Sequence, residues 1–351
     1  MLALRSVPQV VPSMRPMSRM DYGAQMIISK TPYRISFFGG GTDYPEYYLE
    51  HGGAVLGTSI DKYCYLSCRY LPPFFDHHSR IVYSEQEEVQ NNRLIKHPSI
   101  RATLELMDVT HGVEIHHDGD LPARSGLGSS SSCTVGMLNA LYALQGRRPS
   151  RMELALKAIH VEQEMLRENV GSQDQVFATF GGFNKILFRQ DGVLDVRPLT
   201  IRPKRKEALE SRLMFCFTRT TRIASTIAAN VIRSIPSKQL ELKKMREFVD
   251  IAEDIIYNGD LDDFGRLLHE TWLLKRSIST GITNDYIDGI YACAREAGAL
   301  GGKLVGAGGG GFMLFYVPPE RQEAVREALD HLVWVPIRFE SEGSRIIYYA
   351  E

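Results

Sequence analysis

The sequence predicts an α+β fold in two parts. Strand-like and helix-like stretches are mixed along the 351 residues without regular strand–helix alternation, so a doubly wound parallel sheet is not expected. Helical spacing follows Gly128, returns from Ser150 to about Arg167, and recurs beyond residue 222. Between these groups lies IRPKRKEALESR, charged and carrying a proline. A boundary is expected there, giving residues 26–205 and 206–351 as the two parts. Residues 1–25 hold three prolines and no continuous apolar core, and read as a disordered leader rather than a signal peptide.

The composition, 44% hydrophobic and 24% charged with a net charge of −1, is that of a soluble globular protein. It has neither a basic nucleic-acid surface nor an acidic tail, so a small-molecule partner is expected and nucleic acid is not. No apolar run approaches the roughly 20 residues of a membrane span. Five scattered cysteines include Cys64 and Cys68, four apart on a strand-like stretch, but no second pair at zinc-ligand spacing. All five are expected as reduced thiols, mostly in the core, and the protein as cytoplasmic, with a homodimer among its expected states.

Structure is expected to begin at Met26 with MIISKTPYRISFF, which alternates like a strand and breaks at GGGTDYP. AVLGTSI and KYCYLSCRYL follow as two strands, PPFFDHHS is a loop, and VEIHHDGDLP is a strand ending at Pro122. Val135, Leu138, Leu141 and Tyr142 mark a helix closed at Gly146, and Ser150 with Glu153 forms a capping box for the next. NKILFRQ and VLDVRPL make a hairpin around Asp191-Gly192. Then come a strand at LMFCFT, helices around 222–235, 238–258, 261–278 and 285–298, a glycine-rich segment, a helix and a closing strand, RIIYYA.

Four stretches carry candidate chemistry. SGLGSSSS stands directly before a helical period, where unpaired N–H groups and the helix dipole favour an anion. It reads as a phosphate cradle or as a serine-capped helix after a flexible turn. It is no Walker A loop, and the nearest candidate, GALGGKL, has Leu304 where a Ser or Thr would hold magnesium. TPYRISFFGGGTDYP places Arg34 before a glycine turn and Asp43 after it: a phosphoryl-binding cation and a hydroxyl-binding carboxylate, or an ordinary surface turn. HVEQEMLRENVGSQDQ sets Glu162 on a helix and Asp174 on a loop, one carboxylate for a metal and one for a proton, or a solvated helix face. GKLVGAGGGGFMLFYV needs its glycines for close backbone approach or for a strand bulge.

PYRISFFGGGTD, LPARSGLGSSSS, the Glu…GSQDQ loop and VGAGGGGF occur in the order of the motifs of the GHMP kinases, over residues 27 to about 316. The sequence therefore resembles that family, which includes galactokinase, homoserine kinase, mevalonate kinase and phosphomevalonate kinase. The resemblance implies an N-terminal domain like domain two of ribosomal protein S5 and a ferredoxin-like C-terminal domain, with the active site between them. It implies ATP and Mg²⁺. The ATP phosphates would lie on Gly126, Leu127, Gly128, Ser129, Ser130 and Ser131, with Gly308 and Gly309 among the cofactor-binding residues and the Gly306 to Gly311 segment supporting the loop. Mg²⁺ would be held by Ser130 and Glu162, Asp174 would be the base, and Arg34 the cation at the transferring phosphoryl. Gly40, Gly41, Thr42 and Asp43 would bind sugar hydroxyls. GGGTD replaces the Gly-Glu-His-Thr-Asp of galactokinases, and with GSQDQVFATFGGFN and FTRTTRIA looks most like the branch acting on a phosphorylated heptose. A phosphorylated sugar needs a further cation, for which Arg219, Arg222, Lys275 and Lys303 are the candidates, with Arg222 and Lys303 foremost.

Overall fold

The structure, a computed structural model, describes residues 26–123, 125–220 and 224–350. The expected leader and Arg222 lie outside the described residues. In chain order the first half contains β1 (Ile27–Phe38), α1 (Pro45–His51), β2 (Gly53–Tyr70), β3 (Ser79–Val82), β4 (Gln86–Val89), α2 (Pro98–Leu106), β5 (Val113–Gly119), α3 (Ser129–Leu144), α4 (Arg151–Ile159), α5 (Gln173–Phe180), β6 (Phe183–Phe188) and β7 (Leu194–Pro198). The second half contains α6 (Pro203–Glu210), β8 (Leu213–Phe217), α7 (Ala224–Ser234), α8 (Gln239–Asn258), α9 (Leu261–Ile278), α10 (Asp285–Glu296), β9 (Gly301–Leu304), β10 (Phe312–Tyr316), α11 (Gln322–Ala328), β11 (Val333–Trp334), β12 (Phe339–Glu340) and β13 (Arg345–Tyr349).

A nine-stranded sheet runs β13-β1-β2-β5-β3-β4, with β6, β7 and β12 attached through β2. A four-stranded sheet runs β11-β8-β10-β9. The two strands expected at AVLGTSI and KYCYLSCRYL are one, the 18-residue β2. Its first half is buried throughout and pairs with β6, whereas its second half alternates and pairs with β5. Bulges in the pairing with β1, at Pro32/Tyr33 and Ser36/Phe38, allow so long a ribbon to bend. Residues 206–351 do not keep to themselves, because β12 and β13 join the first sheet.

The core is shared in the same way. α3 covers one face of β1 and β2, with Gly136 against Thr31 and Leu66, where a side chain would hold the helix off. α8 and α9 cover the opposite face, and Phe264 stands edge-on to Phe37 and Phe38 at 5.4 and 5.0 Å. Lys185 on β6 bridges to Asp250 and Glu253 on α8, each at 2.6 Å.

The capping box forms, with the Glu153 N–H donating to Ser150 Oγ at 3.1 Å. The helical pattern expected to continue to Arg167 instead widens into a π turn over His160–Met165, which carries Glu162 inward. Among the described residues no helix is long and apolar enough to cross a membrane.

Candidate active site

β1 runs into the first glycine turn. Gly39 and Gly41 adopt φ of +80° and +105°, and a Cβ on Gly39 would overlap Ala54 O of β2. Thr42 was expected at the substrate, yet it is fully buried. Its hydroxyl stands 2.8 Å from Gly39 O and 2.9 Å from Ala54 O, and it accepts from Ala54 N. It closes the turn. Asp43 is buried too, accepting from Gly41 N at 2.9 Å and Gln173 Nε2 at 2.8 Å, and burial raises its carboxyl above the ordinary value. The partly open backbone of Gly40 and Gly41 is what this turn offers to a ligand.

The second glycine loop lies beside it. Gly126 and Gly128 have φ of +86° and +73°, and Gly128 is the N-cap of α3 without a side-chain cap. Arg34 N–H donates to Leu127 O at 3.1 Å and its guanidinium to Gly126 O at 2.6 Å, so the loop is pinned to β1. The Leu127 side chain is a buried anchor. The first intrahelical bond is Ser132 N–H to Gly128 O, which leaves the N–H groups of Ser129, Ser130 and Ser131 without intrahelical acceptors at the positive end of the helix dipole.

Ser131, not Ser130, meets Glu162. Its hydroxyl donates to Glu162 Oε2 at 2.7 Å, while Thr134 donates to Oε1 at 2.9 Å. Successive helical residues point about 100° apart, so Ser131 and Thr134 face inward while Ser130 is exposed. Gln175 Nε2 also donates to Glu162. These donors are neutral, no cationic side chain among the described residues pairs with this carboxylate, and burial pushes it up to about 7.

Asp174 was expected on a loop and instead lies in the first turn of α5. Arg34 holds it bidentately, Nε to Oδ1 at 2.8 Å and a terminal nitrogen to Oδ2 at 2.7 Å. Arg34 is 6% exposed and Asp174 23%, so the carboxylate keeps an open side. Its Oδ2 lies 3.2 Å from where a Cβ on Gly128 would stand. Three consecutive residues thus fan out from one helical turn: Gln173 to Asp43, Asp174 to Arg34, Gln175 to Glu162. The two glutamines went unnoticed in the sequence, although their places on either side of Asp174 were the available signal.

The last glycine segment packs backbone to backbone on the loop that carries Gly126 and Gly128. A Cβ on Gly306 would overlap Gly126, and one on Gly311 would overlap Ser125 O. The Gly306 to Gly311 segment was expected to support this loop, and it meets it through Gly306 and Gly311, while Gly308 packs on Ile282 and Gly309 N–H donates to Ile282 O at 2.9 Å. Lys275 ties the segment down through Leu304 O at 2.9 Å and through Gly306 O, and burial pushes its amine down to about 7. Gly306→Ala, at φ +80°, is expected to displace the loop and raise KM for nucleotide more than about tenfold, while the Tm falls. Steady-state kinetics over a nucleotide series would check this.

Lys303 is also corrected. It is buried and donates to Ser36 O at 2.9 Å and Phe37 O at 2.8 Å, the carbonyls at the second β1 bulge. It satisfies a broken ladder rather than facing a sugar. Lys303→Met is expected to lower stability by about 1–3 kcal/mol and to shift KM alike for phosphorylated and neutral sugars, in a combined melting and kinetic comparison. Arg219 is exposed at the end of β8, with φ of +58°.

A carboxylate forked by a guanidinium beside an open helix N-terminus, with a second carboxylate under the same helix, suits phosphoryl transfer to a hydroxyl. The GHMP kinases N terminal domain family matches residues 93–182 and the GHMP kinases C terminal family matches residues 251–333. The chain is 30% identical over 314 residues to the D-glycero-alpha-D-manno-heptose 7-phosphate kinase of Campylobacter jejuni, spanning 86% of this chain and 93% of that protein. It belongs to the GHMP kinase family, and is a phosphotransferase acting on a hydroxyl group. The bifunctional fucokinase/GDP-fucose pyrophosphorylase of Arabidopsis thaliana is 26% identical over 85% of this chain and 30% of its own length. The crystal structure of a D-glycero-D-manno-heptose 1-phosphate kinase from Bacteriodes thetaiotaomicron matches with a TM-score of 0.76 at 25% identity, covering 93% of this chain and all of that one.

Proposed function

We propose that the protein uses ATP to phosphorylate the anomeric C1 hydroxyl of a sugar phosphate, D-glycero-D-manno-heptose 7-phosphate. The observation that carries this reading is the Asp174–Arg34 fork against Gly128, at the open end of α3. The nucleotide's phosphates lie on the N–H groups of Ser129–Ser131, between Gly126 and the glycine segment ending at Gly311. Asp174 accepts the proton of the attacking hydroxyl through its exposed side. Arg34 keeps that carboxylate aimed, and stands near the phosphoryl in flight.

The donor set fits Mg²⁺. Glu162 is a fully buried carboxylate with neutral partners, and oxygen ligands suit a hard cation. Glu162 would hold the ion, with Ser131 or its neighbour Ser130. When bound, the ion neutralises charge on the β- and γ-phosphates.

A second reading, a kinase for an unphosphorylated sugar, is favoured by one observation: two of the candidate cations for a remote phosphate, Lys275 and Lys303, are engaged by backbone carbonyls. A substrate panel separates the two. ATP consumption is measured with heptose 7-phosphate, free heptose, fucose and galactose, and the product position is fixed by phosphorus NMR. Turnover restricted to the phosphorylated sugar with product at C1 supports the first reading. Equal turnover of a neutral sugar overturns it.

A further inference from the structure

Away from the kinase centre, Cys64 on β2, His117 on β5 and Cys133 on α3 each turn one ligand atom toward the others, all within 4.8 Å. The sheet register explains the meeting. Cys64 and Leu66 lie on one face of β2, Leu66 pairs with His117, and Gly136, one turn after Cys133, packs on Leu66. Both thiols are buried and free, and the imidazole is half-buried, which leaves an approach from solvent. Tyr33 of β1 stands beside both sulfurs, its ring ending at Gly119. His97, the N-cap of α2, sits edge-on to His117 at 6.2 Å, and Asp118 and Asp120 add negative charge nearby.

Two sulfurs and one nitrogen from three elements form a soft donor set. Ligand atoms around a tetrahedral zinc stand roughly 3.3–3.8 Å apart, so closure needs shifts of about 1 Å. Mg²⁺ has no use for thiolates, which separates this cluster from the oxygen donors around Glu162.

We propose that Cys64, His117 and Cys133 form a binding site for a thiophilic divalent cation, Zn²⁺, with water as fourth ligand. Binding displaces the two thiol protons to solvent, and the neutral imidazole contributes its lone pair. Cys133 lies four residues beyond Ser129, one turn inside the helix whose first N–H groups face the phosphate loop. Occupancy would tether that helix to β2 and β5.

The test uses the full chain, stripped with chelator and held in excess Mg²⁺. Titration with Co²⁺ should give thiolate-to-cobalt charge-transfer absorption saturating at one equivalent. Zn²⁺ should abolish that absorption, release protons and raise the Tm by roughly 3–6 °C at a hundredfold excess over Kd. His117→Asn, which keeps both thiols, should weaken Zn²⁺ binding by more than about 100-fold, since even an outer-shell partner is worth 10–100-fold. Cys64→Ala and Cys133→Ala should abolish the charge-transfer band. Cys216→Ala, in the other sheet, should leave it intact. Absence of the band in the wild-type chain overturns the proposal, as does a band that survives in both Cys64→Ala and Cys133→Ala. If either alanine variant fails to fold by circular dichroism, unchanged Zn²⁺ affinity in His117→Asn does so alone.

Discussion

Asp174→Asn is expected to lower kcat by about 10²–10⁴ while nucleotide affinity stays within a fewfold of wild type. The asparagine keeps the shape but cannot accept the hydroxyl proton, whereas in the proposed site the nucleotide would rest on backbone N–H groups of the neighbouring loop and helix. Arg34 would lose half of its fork, so a modest fall in Tm should accompany the variant. Calorimetric binding of ADP, paired with single-turnover phosphoryl transfer, separates the roles. Near-normal turnover would remove Asp174 as the base. Arg34→Lys should show a milder loss of the same kind, because a point charge cannot hold a carboxylate in the plane of a fork.

Glu162→Gln is expected to raise stability and remove activity together. In the metal-free protein burial holds this carboxyl at about 7, against an ordinary value of 4.5. The folded state therefore binds the proton more tightly than the unfolded state. Stability from this group is present at low pH, declines as the pH rises from about 4.5 to about 7, and is flat above. The penalty is on the order of 3 kcal/mol at pH 8. A glutamine carries no charge, and Thr134 can turn its hydroxyl to Ser130 O, 3.2 Å away, and accept from the new amide. In EDTA at pH 8 the variant should melt above wild type, and at pH 5 the gap should close. With Mg²⁺ and ATP its turnover should fall by about 10² or more, since the metal would lose its charged ligand. Equal activity, or a stability gap independent of pH, would defeat the assignment.

Periodicity made the helices legible. The helices predicted at 238–258 and 261–278 correspond closely to α8 and α9, and the hairpin at Asp191-Gly192 joins β6 to β7. The chemistry-bearing motifs were readable because glycine is needed wherever backbones touch, as at Gly126 against Gly306. What failed were statements about which way a side chain points. One helical residue separates Ser130 from Ser131, and only the inward π turn at Glu162 decides between them. Lys303 looked like a free cation because a bulge in β1, the reason for its burial, leaves no mark in composition. The meeting of Cys64 with Cys133 depends on sheet register, which spacing along the chain does not reveal.

The pairing of β13 with β1 has a consequence for synthesis. Ile27 stands opposite Tyr349, and Ala350 N–H donates to Met26 O. As the chain leaves the ribosome, the outer edge of β1 at Ile27–Lys30 must wait for almost every later residue before it is covered. Contacts of such long sequence separation slow folding and leave an unpaired edge open to other chains meanwhile. Nascent-chain truncations stalled shortly before residue 345 should hence be bound by chaperones, and release should coincide with arrival of the final strand.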